Sequence, residues 1–363
     1  MTGAYDKLPP AFFDGAIARI LDLQRESGAI PWFDGGVIDP WNHTEAAMGL
    51  AVLGRNVEAE NAYRYLAESQ NADGSWHAQY GGAVSFATGR YEGTGDEPLV
   101  RDTNFCAYPA TGIWHHYRIT ADRSFLETYW PMIERAVAFV LEMQSEHGEV
   151  RWAANDPQTP QDDALLTGNA SIYKSLECAI LIAEELGRDA RDWRRARARL
   201  GEAIRAKPHR FDRQWEKKSR FSMDWYYPVL SGAVTGTAAR ARLKSGWNMF
   251  VADGAGCRCV RDEPWVTVAE SAELALALMR AGDVPSARGM LSWQHQWRAE
   301  CGAYWMGWQF RENVPWPREK PAWTAAAVIL ATDALLKLSP AADLFTREFV
   351  SESLEQPQRF YRR

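Results

Sequence analysis

Apolar positions recur along this chain at the i, i+3, i+4, i+7 spacing of a helix, and runs of strand alternation are scarce. Two kinds of helical segment alternate. One carries charge along a single face, as in "PSARGMLSWQHQWRAE" and "DRSFLETYWPMIERAVAFVLEMQ", and predicts an amphipathic helix with one wet side. The other is built from small and apolar residues with few charges. Six segments are of this kind: "PWNHTEAAMGLAVLG", "RDTNFCAYPATGIWHHYRI", "ALLTGNASIYKSLECAILIAEELG", "DWYYPVLSGAVTG", "PWVTVAESAELALALMRAG" and "PAWTAAAVILATDALLKL". They return about every 40 to 60 residues, the interval of a helix-hairpin repeat. A helix that is apolar on most sides must be covered on most sides. The pattern therefore predicts an all-α (α/α)6 toroid, six inner helices wrapped by six outer ones. It would span residues 1–363 as one domain, with a C-terminal tail from about residue 345.

The ends of the amphipathic helices carry a second periodicity. In "AYRYLAESQNADGSWHAQY" an apolar face with Tyr65 and Leu66 is followed by Gln70, Gly74 and Trp76. Gln70 sits where helix carbonyls lack intrahelical partners, Gly74 supplies a turn with positive φ, and Trp76 can fold back over the hairpin end. The spacing returns in "RAVAFVLEMQSEHGEVRW" with Phe139, Val140, Gln144 and Gly148, and in "ILDLQRESGAIPW" with Gln24 and Gly28. Three occurrences at hairpin ends predict a fastening device.

Composition narrows the function classes. The chain is 46% hydrophobic and 24% charged, with a net charge of −6, which leaves no footprint for nucleic acid or an anionic membrane. The basic run "RDARDWRRARARLGEAIRAK" has acids interleaved at helical spacing and predicts a solvated outer face. No window approaches the roughly 18 apolar residues of a membrane span, and "MTGAYDKLPP" has no signal-peptide pattern. Five scattered cysteines predict a reducing, cytoplasmic setting, and "GCRCV" lacks the spacing of a zinc site. No metal, cofactor or protein partner is called for, and the oligomeric state is left open. Seventeen tryptophans point to an aromatic core or to a cavity that stacks its ligand on indole faces.

Two family resemblances follow from these residues. Ala62, Tyr65, Leu66, Gln70, Gly74 and Trp76 resemble the QW repeat of squalene–hopene and oxidosqualene cyclases, in the toroid superfamily that includes the protein prenyltransferases. There the repeat is structural. The stretch "VRDTNFCAYPATGIWHHYRITADRSFLETYWPMIERAVAFV" resembles inner and outer helices of the six-hairpin, glucoamylase-like glycosidases, and "PWVTVAESAELALALMRAGDVPSARGML" with "GAYWMGWQF" resembles their last repeats. The second resemblance implies that Arg101 and Asp102, at a helix start, hold a sugar.

Candidate chemistry lies where loops enter the inner helices, because the rest of each inner helix is buried. The helix starts carry Asp39, His43 and Glu45; Arg101, Asp102 and Asn104; Asp162 and Asp163; Asp224, Trp225, Tyr226 and Tyr227; Glu263, Trp265 and Glu270; and Glu319 with Trp323. Singly, such acids can be helix caps. Together with flat aromatic faces they suit a sugar cavity, where carboxylates bond hydroxyls and indoles stack on C–H faces. His43 reads as a hydrogen-bonded wall residue. Glu270, inside an apolar run with Glu273 three residues on, can be a general acid with a raised pKa or a structural acid paired with an arginine such as Arg101.

Three functions compete on these terms. The first is a glycoside hydrolase working by paired carboxylates, with Asp102, Asp163, Asp224, Glu263 and Glu270 as the catalytic candidates. Arg101, Trp41, His43, Glu45, Tyr226, Trp265 and Trp323 would bind an oligosaccharide or glycoconjugate, and epimerase or lyase chemistry would use the same cavity. The second is an isoprenoid enzyme, although "PQDDAL" has Gln161 before Asp162 and Asp163 and lacks the spaced Asp of a class II cyclase motif, and no Asp, Cys, His zinc set is visible. The third is a non-catalytic toroid scaffold. No phosphate loop, nucleophile elbow or HExxH motif supports other classes.

Overall fold

A computed structural model describes residues 8–9, 11–81, 100–154, 162–214 and 217–349; Gln161, residues 1–7 of the N-terminal stretch and residues 350–363 of the expected tail lie outside them. The helices are α1 (Asp14–Leu23), α2 (Pro40–Val52), α3 (Asn56–Ser69), α4 (Thr103–Ala107), α5 (Pro109–Thr120), α6 (Arg123–Glu142) and α7 (Leu166–Glu185). They continue as α8 (Arg191–Ala206), α9 (Ser222–Leu230), α10 (Gly236–Phe250), α11 (Val268–Arg280), α12 (Val284–Gln294) and α13 (Ala322–Leu336). The six small-apolar segments become the inner ring, which closes in the order α2, α5, α7, α9, α11, α13 and back to α2. Each amphipathic helix packs outside it: α3 on α2, α6 on α4 and α5, α8 on α7, α10 on α9, α12 on α11, and α1 on α13. The architecture is the (α/α)6 toroid that the periodicity predicts.

Small residues set how close the ring closes. Along α13, Ala322 and every residue from Thr324 to Asp333 are buried, so the helix has no wet face at all. Where α2 crosses α13, a Cβ on Gly49 would lie 2.9 Å from the Ala326 methyl. Backbones that approach so closely leave no room for larger side chains.

The fastening device is present and more extensive than the sequence pattern. The Gln70 side-chain amide donates to the carbonyls of Gly74 and Met132, both at 2.9 Å, and so ties its own turn to α6. Gln144 does the same with Gly148 and Ala196 of α8, both at 2.9 Å. Gln24 bonds Gly28 at 3.3 Å and Glu58 of α3 at 2.8 Å. A fourth clamp closes the ring with an arginine. Arg298 donates to Gly302 at 3.4 Å and to Phe12, just before α1, at 2.9 Å. The residue two after each glycine (Ile30, Trp76, Val150, Tyr304) is buried, and the Trp76 indole donates to the Leu66 carbonyl at 2.9 Å. These residues position the ring and stand outside its chemistry.

One end of the ring carries added strands. Arg101–Asp102 pairs antiparallel with Ala153–Ala154 beside the start of α4. A five-stranded antiparallel meander runs through Val251–Ala252, Gly256–Arg258, Trp265–Thr267, Gly307–Gln309 and Val314–Pro315. Its middle strand leads directly into α11. Its two- and three-residue strands are too short to show alternation in sequence. No helix among the described residues is long and apolar enough to cross a membrane.

The clamp has a measurable consequence. Gly74 has φ +87° and a Cβ there would lie 2.2 Å from the Arg135 carbonyl oxygen, whereas Gly187 has φ +69° and open space. Gly187→Ala is expected to cost about 1 kcal/mol from backbone conformation alone, and Gly74→Ala about 3 kcal/mol or more because backbone must also move. Urea unfolding of the two variants checks this, and equal losses would remove the clamp's claim to tight packing.

Candidate active site

The loops that enter the inner helices bring most of the predicted acids to one end of the ring, in two groups. The first begins with two matching caps. Asp39 caps α2, accepting from the Asn42 backbone N–H at 2.8 Å, the Asn42 side-chain amide at 2.6 Å and the Trp32 indole at 2.6 Å. Asp102 caps α4, accepting from the backbone N–H groups of Asn104 at 2.8 Å and Phe105 at 3.2 Å, and from the Trp152 indole at 2.6 Å. Burial raises both carboxyls above the ordinary range, Asp102 to about 6, with the hydrogen bonds pulling back and Asp39 repelling Asp102.

Below these caps the carboxylates crowd. Glu45 accepts from Tyr108 Oη at 3.1 Å and Trp41 Nε1 at 3.3 Å. Burial pushes it up to about 7, with repulsion from Asp39 and Glu270 adding to the shift. Glu273 accepts a short hydrogen bond from Tyr226 and is held well above the carboxylate range by burial, then by repulsion from Glu45 and Glu270. Glu270 itself is 8% exposed, and its Oε2 is buried without a hydrogen-bond partner. Under the acids, Glu45, Tyr108, Tyr227, Glu273, Leu276 and Phe345 enclose a void of about 10 Å³, at the limit for one water. The ring is therefore filled by side chains beneath the acids.

The second group sits at the starts of α7 and α9. Asp163 is fully engaged: it accepts from the backbone N–H groups of Ala164 at 2.7 Å, Arg213 at 3.0 Å and Gln214 at 2.9 Å. Asp224 is different. It is 8% exposed and its Oδ1 has no partner. Burial raises it to about 7, reinforced by Asp212 and opposed by the Arg242 guanidinium. Arg242 lies there because it donates to the carbonyls of Asp224 at 2.8 Å and Trp225 at 2.7 Å. Asp212 holds a left-handed backbone, φ 51°, and is raised to about 6, chiefly by burial.

The remaining predicted residues separate by position. Trp41 packs against Phe105, Tyr108 and Tyr227 with centroids 6.0, 5.6 and 5.7 Å away, and so walls the acid cluster. Trp265 is half-buried in the meander strand that enters α11, and Trp323 is half-buried at the start of α13. Tyr226 is wholly buried on Glu273. Arg101 pairs with Asp73 at 3.6 Å rather than with Glu270. His43 lies in the wall, where Nδ1 accepts from Ile30 N–H at 3.1 Å and Nε2 lies 2.9 Å from the Ala62 carbonyl. Burial lowers it to about 4, so it stays neutral. Glu263 is exposed on a turn of the meander. Sequence reasoning passed over Trp32, Trp152, Tyr108, Asp212 and Arg242 as site residues; the aromatic donors come from other hairpins or loops, and only a bulky side chain marked them.

Asp224 and Glu270 occupy equivalent places, each the third residue of its inner helix, on neighbouring helices α9 and α11. An uncharged Asp224 can donate a proton, and a carboxylate at Glu270 can accept one. A proton-donating and a proton-accepting carboxyl are the pair that glycoside hydrolysis uses.

No protein-family model matches the chain. It is 45% identical over 336 residues, 93% of its length and 89% of the relative's, to the MMP endo-(1,4)-3-O-methyl-alpha-D-mannosidase of Mycolicibacterium hassiacum. Its fold is similar to the GH63 mannosylglycerate hydrolase from Thermus thermophilus in complex with Tris and D-glycerate (TM-score 0.62, 12% identity, 88% of this chain and 99% of that one). It is also similar to a bacterial glucoamylase complexed with acarbose (TM-score 0.65, 11% identity, 93% of this chain and 57% of that one).

The raised pKa of Asp224 has a signed effect on stability. Between its ordinary 3.8 and about 7 the native state keeps a proton that the unfolded chain has lost. This group's contribution is therefore fully present below about pH 4 and is lost as pH rises through about 7. Asp224→Asn is expected to be near neutral at pH 4 and to stabilise at pH 8 by roughly 1–3 kcal/mol. Urea unfolding at the two pH values tests it, and a variant destabilised at both would contradict an unpaired Asp224.

Proposed function

The chain belongs to the family of the Mycolicibacterium hassiacum endo-mannosidase and is a glycoside hydrolase, and from that premise we propose that it cleaves internal α-1,4 bonds in chains of 3-O-methylated mannose. The observation that carries the catalytic assignment is the pair of buried, unsatisfied carboxylate oxygens, Asp224 Oδ1 and Glu270 Oε2, at the same level of adjacent inner helices. Asp224, protonated near neutrality, gives its proton to the glycosidic oxygen as the C–O bond breaks. Glu270 takes a proton from a water that attacks the anomeric carbon from the opposite face. Inversion is the proposed course, and it calls for a carboxyl separation of roughly 6.5–9.5 Å, against the 5–5.5 Å of retaining enzymes.

Other residues take supporting roles. Asp102, fixed by its cap and by Trp152, offers its remaining lone pairs to sugar hydroxyls, and Trp41 supplies a flat apolar wall. Methyl ethers favour such a wall because each carries apolar surface into a site that must also hold hydroxyls. Asp163 and His43 hold loops and wall in place. Exposed Phe310 and Trp316 on the meander, with Trp308 stacked on Trp297 at 4.7 Å, extend an aromatic rim that suits a chain longer than one sugar. All five cysteines are free thiols, which fits the cytoplasm.

Glu270→Gln and Asp224→Asn are each expected to lower kcat about 10²–10⁴-fold with KM little changed, whereas Asp102→Asn should act mainly on KM. Steady-state rates on methylmannose oligosaccharides measure this. Proton NMR of the first-formed reducing end should show the β anomer; an α product would overturn the inverting pair.

A further inference from the structure

The basic run of α8 is only partly a solvated face. Arg191, Arg194 and Arg195 pair at the surface with Asp189, Glu184 and Asp192. Arg197 instead turns inward, where it contacts Glu177 at 2.7 Å and lies 3.8 Å from the Tyr173 ring centroid and 4.5 Å from that of Phe349. Glu177 is saturated, because buried Lys174 holds its other oxygen at 2.7 Å. Two more arginines complete the group. Arg205 donates to the Ala233 carbonyl at 2.9 Å and Arg280 to the Phe345 carbonyl at 2.7 Å. Neither forms an ion pair within 4 Å among the described residues, and Arg280 Nε is buried without a partner.

Around these side chains lies a pocket of about 290 Å³, lined by Arg197, Arg205, Arg280, Tyr173, Thr235 and the Glu348 stretch. Four cations, with Lys174, face two carboxylates, Glu177 and Glu348, so the pocket is electropositive in a chain of net charge −6. The backbone makes room for the guanidinium groups. Gly232 has φ +81°, and a Cβ there would lie 2.1 Å from Arg280 Nη2; one on Gly201 would lie 3.0 Å from Arg205 Nη1. Arg280 is the last residue of α11 and Glu270 the third, about 15 Å apart along the helix. The pocket is thus at the opposite end of the ring from the acids.

We propose that this pocket is a second ligand site, for a small phosphate-bearing anion gripped by the forks of Arg205 and Arg280. Planar guanidinium groups with unused donors match the oxygens of phosphate in pairs. A neutral sugar would leave the cation excess uncompensated. The site is independent of the catalytic assignment.

Calorimetric titration of the full-length protein tests it, with inorganic phosphate, mannose 6-phosphate and mannose as probes. Saturable binding of one phosphate-bearing ligand per chain is expected, weakening with salt, and no binding of mannose at this site. Arg205→Gln, an exposed position that should fold, is expected to weaken binding about tenfold, and Arg280→Lys should do likewise. Tighter binding of the sugar phosphate identifies a phosphorylated sugar as the ligand, and equal binding identifies the phosphate group alone. Absence of saturable binding, or binding unchanged in both variants, overturns the proposal.

Discussion

A helix with no polar face must be covered all round, and six such helices in one chain can achieve this only by covering one another. That constraint governs the rest of the structure. It forces the ring to close, confines outward polarity to the second layer, and leaves the helix ends as the places where polar groups can reach an opening. The outer layer then needs a register, and the clamps supply it. Each joins a turn to the next outer helix by donating to two carbonyls, running from α1 to α3, α6 and α8, and from α12 back to α1. Between α8 and α12 the glutamine device is absent among the described residues, and there α10 runs straight into the meander.

The same closure sets the electrostatics of the acid end. Carboxylates at the starts of inner helices are withdrawn from water by their neighbours, so charge on any one of them is costly. Glu45, Glu270 and Glu273 repel one another, and the cluster cannot carry its full charge without ligand or proton. Burial holds Glu45 and Glu273 above the ordinary carboxylate range. Carboxylates among aromatic rings distinguish this site from the dry pocket that an isoprenoid substrate would need.

What the sequence discloses follows from how local each cause is. Burial on all sides is written into every residue of a helix, so all six inner segments are legible from composition alone. Gln24, Gln70 and Gln144 are legible as a repeat, whereas Arg298 performs the same clamp with a different side chain and is invisible to pattern. The helix-start position of Asp224 and Glu270 is local and was legible; the exposure of Glu263 and the saturation of Asp163 by the Arg213–Gln214 backbone are not local and were not. The indoles that fix Asp39 and Asp102 lie 7 and 50 residues away in sequence. The inward turn of Arg197, within a run where Arg191, Arg194 and Arg195 pair at the surface, depends on Glu177 and Tyr173 from another helix.

The repeat also separates acids that hold from acids that react. At α2 and at α4, which leads into α5, the acid stands at the cap, where backbone N–H groups and one indole fix its carboxylate. At α9 and α11 the acid stands three residues past the cap, and neither carboxylate caps its helix. Asp224 and Glu270 each retain a buried oxygen with no protein partner, as do Asp212 and Glu149, and each carries a desolvation cost. On the proposed assignment that cost is recovered when substrate and water occupy the opening. The shift of a few positions along one repeated helix is then enough to turn a capping residue into a catalytic one, with no change in the fold that carries it.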